Sequence, residues 1–431
     1  MRRKGLAMLL TLTVAASLTG CGSNNASSNA DSNNTATQEA SGNEGTGEKE
    51  KVALTVWGAE EDQAMLQEMI DEFEVTYADT AEWDISLGVE SESTAKDTIL
   101  TDIEAAADVF AFADDQLNQL VDAGALQPIE LHTEEVTAAC GGADAGAIQA
   151  ATKDGKLYAY PMTADNGYFM FYNSEYFTED DVQSLDKMLE VAASNGKQVS
   201  MQLDEGWYLY SFFKGAGLDL TLNEDGLTNS CNWNATDTAI TGAQVTEALL
   251  NISGNAGFVS CTDEAFVSGV KDGSIIAGVN GTWNASVAEE VWGENYAATK
   301  LPTYTCNGQQ VQMSSFAGYK LIGVNAYSEF PGYAMMLGEW LTNYDNQVKR
   351  FEQRGLGPAN VEAAASDAVK ASPAIAALSE QSQFATVQRI GDKYWSPAQT
   401  YGAIIAAGNS DKVDLQTLVD NLAEGITASV E

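Results

Sequence analysis

The sequence predicts an α/β protein whose sheets are mainly parallel and covered by helices. A β-prone run is twice followed directly by an apolar stretch at helical spacing, and in mid-chain a pair of aromatic-rich β runs flanks a tight turn. The length of 431 residues, about three times the ~150 of one domain, adds that two or more domains are expected. The first β run is Leu54-Thr55-Val56-Trp57. Behind it Met65, Leu66, Met69, Ile70 and Phe73 recur along one helix face. The second unit is the Ala-Asp-Val-Phe-Ala-Phe-Ala run of 107–113, followed from near Asp115 by Leu117, Leu120 and Val121 and closed by Gly124. Alternation of this kind places helices on both faces of a parallel sheet.

Between 153 and 173 the pattern changes. Lys153-Asp154-Gly155-Lys156 is a turn signal, flanked by Leu157-Tyr158-Ala159-Tyr160-Pro161 and Tyr168-Phe169-Met170-Phe171-Tyr172, and a connection between domains is expected here. Asp272-Gly273 and Asn280-Gly281 bracket a further segment, with Trp283 just beyond the second turn. Pro331 opens a helix predicted to run through Trp340 to about Phe351. Ser396-Pro397 caps another, which contains Tyr401, Ile404 and Ile405 and closes at Gly408, and Leu415, Leu418 and Leu422 mark the last. Asn223-Glu224-Asp225-Gly226 looks like part of a calcium loop. Counting Gly226 as position six, however, leaves Thr221 and Asn232 where the ligating acids belong, so a hairpin turn is the better reading.

Charge excludes whole classes of partner. The 21 Lys and Arg against 62 Asp and Glu give a net charge of −41, which repels phosphate, so neither nucleic acid nor an anionic membrane surface is an expected partner. Arg2, Arg3 and Lys4 precede an apolar run over 6–18 that is too short to span a membrane, and the run ends in Leu18-Thr19-Gly20-Cys21. This resembles the bacterial lipobox. It implies a signal peptide over 1–20, lipidation of Cys21 and residence on the extracellular side of the cytoplasmic membrane, held there by the N-terminal lipid. Removing 1–20 takes three positive charges and no negative one, leaving −44. After Cys21 the stretch to 51 contains no aromatic residue and no Val, Ile or Leu, so 21–51 is expected to be a disordered tether, with a reach of roughly 30 Å.

Enzyme signatures are missing. The only histidine, His132, lies in a polar stretch and reads as a solvated loop residue, and there is no Gly-x-Ser-x-Gly, His-Glu-x-x-His or Gly-Lys-Ser/Thr. Cys140, Cys231, Cys261 and Cys306 are widely spaced. They allow three disulfide pairings or simply buried thiols, and they suggest no metal site. No cofactor is expected. What remains is a chain with 8 Trp, 16 Tyr and many carboxylates. A hexopyranose suits that mixture: its C–H faces stack on aromatic rings and its hydroxyls donate to ionised carboxylates.

Several stretches, in order, resemble a family: Leu54-Thr55-Val56-Trp57, Ala107-Asp108-Val109-Phe110, Gly155-Lys156-Leu157-Tyr158-Ala159-Tyr160-Pro161 with Phe171-Tyr172-Asn173, Val279-Asn280-Gly281-Thr282-Trp283, Leu301-Pro302-Thr303 and Arg354-Gly355-Leu356-Gly357-Pro358. From Lys51 onward the chain is similar to the extracellular solute-binding proteins of sugar-importing ABC transporters, in the group of maltose and maltodextrin binders. The resemblance implies two α/β lobes of the periplasmic-binding-protein type, with ligand in the cleft between them. It divides the chain into an N-terminal lobe of 52–163 plus 321–371 and a C-terminal lobe of 164–320 plus 372–431.

It also implies site residues. Glu61 and Asp62 follow the first strand and would line the cleft. Phe112 stands where maltodextrin binders carry tryptophan, and Asp115 matches an acid that bonds sugar hydroxyls, with Gln116 in place of the family's neighbouring basic residue. Asp165 matches a hinge-side carboxylate. Asp204-Glu205-Gly206-Trp207-Tyr208 resembles the segment that stacks a glucosyl ring, which puts Glu205 and Trp207, with Tyr210 behind them, at the site. Trp283 and Trp395 match further stacking aromatics. The implied function is capture of malto-oligosaccharides and delivery to the permease's transmembrane subunits by a monomer. Another oligosaccharide is the alternative ligand, and a surface glycosidase using Asp165 and Glu205 is the enzymatic alternative.

Overall fold

The computed structural model describes residues 49–430. The expected signal peptide, Cys21 and the tether as far as 48 lie outside the described residues. Lys51, placed with the tether on composition, already opens the first strand and pairs with Glu82. Among the described residues no helix is long and apolar enough to cross a membrane.

Two five-stranded sheets organise the chain. In the first the order is Glu82–Val89, Lys51–Gly58, Val109–Ala113, Lys320–Val324, Ala159–Thr163. In the second it is Phe258–Val259, Gln198–Ser200, Ile275–Asn280, Phe169–Asn173, Tyr296–Thr299. Four strands of each sheet share a direction and one is reversed: Lys320–Val324 in the first and Phe169–Asn173 in the second. Each reversed strand is the one the chain enters straight after crossing from the other sheet's side. A strand reached that way needs no helical crossover and arrives antiparallel. The mainly parallel character read from the sequence therefore comes from the strands linked by helices within one side.

Side-chain alternation fixes what each sheet buries. In Phe169–Asn173, Phe169 and Phe171 face a small core with Phe266, Trp292, Ala374 and Ala377, while Met170 and Tyr172 face the large second core. That large core is covered by the helices Gly206–Gly215, Gly242–Ser253, Trp395–Ala406 and Leu415–Ile426. The first core gathers Val52, Leu54, Val56, Met69, Phe73, Phe110 and Phe112 around the other sheet, under the helices Gln63–Thr76 and Pro331–Leu341.

Three elements differ from the sequence reading or sharpen it. The helix opened by Pro331 ends at Leu341, because the Asn343 side chain caps a new helix, Tyr344–Arg354, by accepting from the Asn346 N–H at 2.9 Å. His132 adopts a left-handed backbone just before the Thr133–Ala139 helix, and its exposed ring meets the Glu339 carboxylate at 2.8 Å. The acidic turn at Gly226 is a hairpin joining Leu220–Leu222 to Asn229–Cys231, as read. All four cysteines within the described residues are free thiols, and burial pushes each of them up to about 11.

Candidate functional site

Where the two sheets' sides meet, three crossings of the chain lie together, at about 164–168, 318–319 and 365–372. Asp165, in the first, links the two sides: its Oδ2 accepts from Thr282 Oγ1 and from the Gly357 N–H, each at 2.6 Å. Gly318 is required at its crossing, because a Cβ there would stand 2.6 Å from Asp114 Oδ1. The neighbouring Tyr319 N–H donates to that same oxygen at 3.0 Å, which ties the crossing to the end of the Val109–Ala113 strand.

The second lobe presents an aromatic wall. Glu205 caps the Gly206–Gly215 helix, and the helix's first turn carries Trp207. Trp207 and Trp283 lie 5.7 Å apart between ring centroids, inclined by 33°. Each indole N–H has a fixed acceptor, Gln388 Oε1 at 2.7 Å for Trp207 and Asp263 Oδ2 at 2.9 Å for Trp283. Trp395 borders Gly206 and packs on Tyr394 at 5.1 Å. All three tryptophans are half-buried. Trp283 lies so close over Gly281 that a Cβ there would come within 2.0 Å of its ring. Gly281→Ala is therefore expected to leave the melting temperature within a few degrees while turning Trp283 out of place. Its near-ultraviolet circular dichroism would change, and any ligand that stacks on Trp283 would bind less tightly.

Facing this wall are polar groups from the first lobe. Lys320 Nζ stands 5.4 Å from the Trp283 ring centroid and 3.6 Å from Glu92. Burial alone would lower its pKa, but the carboxylates of Glu92, Asp165, Asp62 and Glu61 outweigh burial and raise it. Asp114 and Asp115 follow the Val109–Ala113 strand. Burial pushes both carboxyls up against the opposing pull of Arg389 on Asp114, and Asp115, which also feels the Asp114 charge, reaches about 6. Glu205 is likewise raised by burial, with its hydrogen bond from the Trp207 N–H opposing.

Asp115 also makes stability depend on pH with a definite sign. Near pH 5 the folded protein holds a proton that the unfolded chain, with a carboxyl near 4, has released. The contribution of Asp115 to stability therefore falls as pH rises from about 4 to about 6 and is level above. Urea unfolding at pH 4.5 and 7 should show Asp115→Asn gaining on wild type at the higher pH.

Of the ten residues implied by resemblance, the structure brings Glu205, Trp207, Trp283 and Trp395 together and puts Asp115 just beyond the Val109–Ala113 strand, with the exposed Glu61 close enough to act on Lys320. Asp165 is buried in the hinge with one oxygen engaged and Oδ1 unpartnered. Three are corrected. Asp62 is 3% exposed, and both its oxygens bind cations, Arg350 Nη1 at 3.0 Å and Arg354 Nε at 2.8 Å, so it is a structural counterion. Phe112 is fully buried beside Phe110, because the strand that carries it is covered on both faces. Tyr210, one turn after Trp207, points inward and stacks on Phe316 at 3.9 Å. Sequence reasoning missed Lys320, Glu92, Asp263, Gln388 and Arg389. Among the described residues no group of three or more ligating side chains forms a metal site.

The profile of the family described as bacterial extracellular solute-binding protein matches residues 68–377. The chain belongs to this family. A galactooligosaccharide-binding protein of Bacillus subtilis (strain 168) is 27% identical over 446 residues, covering 98% of this chain and 96% of that protein. Among solved structures, one with acarbose is 30% identical with a TM-score of 0.78, covering 88% of this chain and 99% of its own. The maltodextrin-binding protein MalE1 from L. casei BL23, solved without ligand, is 22% identical with a TM-score of 0.71, covering 88% and 100%. This solute-binding protein thus has the two-lobed, mixed α/β architecture of periplasmic binding proteins. The family name places it outside the cytoplasm and makes it a binder rather than an enzyme, which sets the glycosidase alternative aside.

Proposed function

We propose that this solute-binding protein captures an oligosaccharide between its lobes and delivers it, unaltered, to the transmembrane subunits of an ABC importer. The observation that carries this reading is the inclined Trp207–Trp283 pair with the Lys320 ammonium 5.4 Å from the Trp283 ring. Flat rings offer stacking to pyranose faces, and the Lys320 ammonium and the exposed Glu61 carboxylate beside it offer charge-assisted hydrogen bonds to hydroxyls. The lobes are taken as 52–163 plus 320–371 and 164–319 plus 372–431, the boundary implied by the resemblance moved by one residue because Lys320 opens a strand of the first sheet. Lipidation at Cys21 would hold a monomer at the outer membrane face. A ligand that touches both lobes favours the closed form, and about 5.5 kcal/mol of differential affinity suffices to turn a 1:99 closed fraction into 99:1.

Malto-oligosaccharides are the first choice, since the curved apolar face of an α-1,4-glucan suits two rings inclined to each other. The second reading, a galacto-oligosaccharide, is favoured by what the Bacillus subtilis relative is named for binding. Calorimetry with maltotriose, maltotetraose and galacto-oligosaccharides decides between them. A dissociation constant near or below about 1 μM, equivalent to about 8 kcal/mol, is expected for one class. Binding of none of them would overturn the reading, as would steady release of shorter products.

A further inference from the structure

One short strap of the second lobe carries two links to the first lobe and one to the Trp207 ring. After the Ala385–Val387 strand the chain runs through Gln388, Arg389, Ile390 and Gly391 to the turn at Asp392–Tyr394. Its backbone is fastened to its own lobe: the Gln388 N–H donates to Ala317 O at 3.0 Å, Ile390 is buried in the second core, and the Gly391 N–H donates to Asn229 Oδ1 at 2.7 Å. Its side chains go elsewhere. Arg389 Nη1 donates to Asp114 Oδ2 of the first lobe at 2.9 Å, and Lys96 of the first lobe donates to Asp392 at 2.9 Å. Gln388, 5% exposed, accepts from the Trp207 indole of its own lobe at 2.7 Å.

These links differ in weight. Lys96 and Asp392 form a partly exposed pair, and such pairs add little. Asp114 is 1% exposed, so without Arg389 a buried carboxyl would lose its cationic partner. That second pair exists only when the lobes meet, since its members belong to different lobes.

Taking the saccharide reading above as its basis, we propose that Gln388 and Arg389 are positioning residues of the binding site. Gln388 holds the Trp207 ring in place through its indole N–H, and the neighbouring Arg389 clamps this stretch of chain onto Asp114 each time the lobes close. Saccharide is then held by a strap that opens as the ligand leaves, so loss of the strap should act on dissociation and spare the encounter.

The test uses the full chain with the saccharide that binds wild type. Stopped-flow tryptophan fluorescence should show Arg389→Gln and Gln388→Leu raising the dissociation rate at least about tenfold with the association rate changed less than about threefold. Asp392→Asn should stay within about threefold, and Arg389→Lys should restore part of the loss. In proton–nitrogen spectra, the indole N–H resonance lost in Trp207→Phe should move upfield in Gln388→Leu, and a thermal melt confirms that each variant is folded. Dissociation rates within twofold of wild type in both Gln388→Leu and Arg389→Gln would overturn the proposal, as would an unmoved Trp207 resonance in Gln388→Leu. Should wild type bind no saccharide in the panel, the binding reading fails by itself. The strap is then judged by the indole resonance alone, where movement in both variants supports a positioning link and its absence refutes one.

Discussion

Asp62→Ala is expected to destabilise the first lobe by about 3–5 kcal/mol, the usual loss when a buried ion pair loses one partner. Both carboxylate oxygens of Asp62 are engaged by Arg350 and Arg354, and Arg350 is 1% exposed. Its Nε and Nη2 are buried without hydrogen-bond partners, so Asp62 supplies the one carboxylate hydrogen bond it has. Burial also pulls the Arg350 pKa down, which marks a cation short of solvation that cannot spare its counterion. Differential scanning calorimetry should show a fall of the order of 10 °C in the first lobe's transition. Arg350→Met in the same assay should do less harm, because it removes the charge and keeps the volume. An Asp62→Ala protein that melts like wild type would return Asp62 to the list of ligand contacts.

Trp283→Ala should weaken saccharide binding by about 1–3 kcal/mol, roughly 5- to 150-fold in dissociation constant, with little change in melting temperature. The ring is half-buried, its N–H is oriented by Asp263, and it lies under Lys320 rather than within a core cluster. Removing it takes away a stacking platform and leaves the packing of both lobes intact. Calorimetric titration at one temperature, paired with a thermal melt, separates the outcomes. Unchanged affinity with a large loss of stability would make Trp283 a packing residue.

How much of this was legible depends on what each residue answers to. Trp283 was readable because an Asn-Gly turn placed it just outside a strand, and the strand–helix alternation over 54–73 and 107–121 was readable because its periodicity is local. Phe112 and Tyr210 misled for a related reason. Family position put them at the site, while side-chain direction within a strand covered on both faces and within a helix turned them into the cores. Arg389 and Asp114 are 275 positions apart, and Gln388 and Trp207 are 181 apart, so no local pattern links them. Asp263 looks in sequence like an ordinary first-turn acid after the Thr262 cap, and only the fold brings the Trp283 indole to it. Asp62 shows the same limit, since its neighbours in sequence say nothing of two arginines almost 300 residues away.

The four unpaired sulfurs have a practical meaning for a protein that works outside the cytoplasm. With burial pushing each thiol up to about 11, only about one thiol in ten thousand is ionised at neutral pH. Atmospheric oxygen and foreign disulfides find little to attack. The shelf life of the folded part in air should match that of a chain with serine at these four positions.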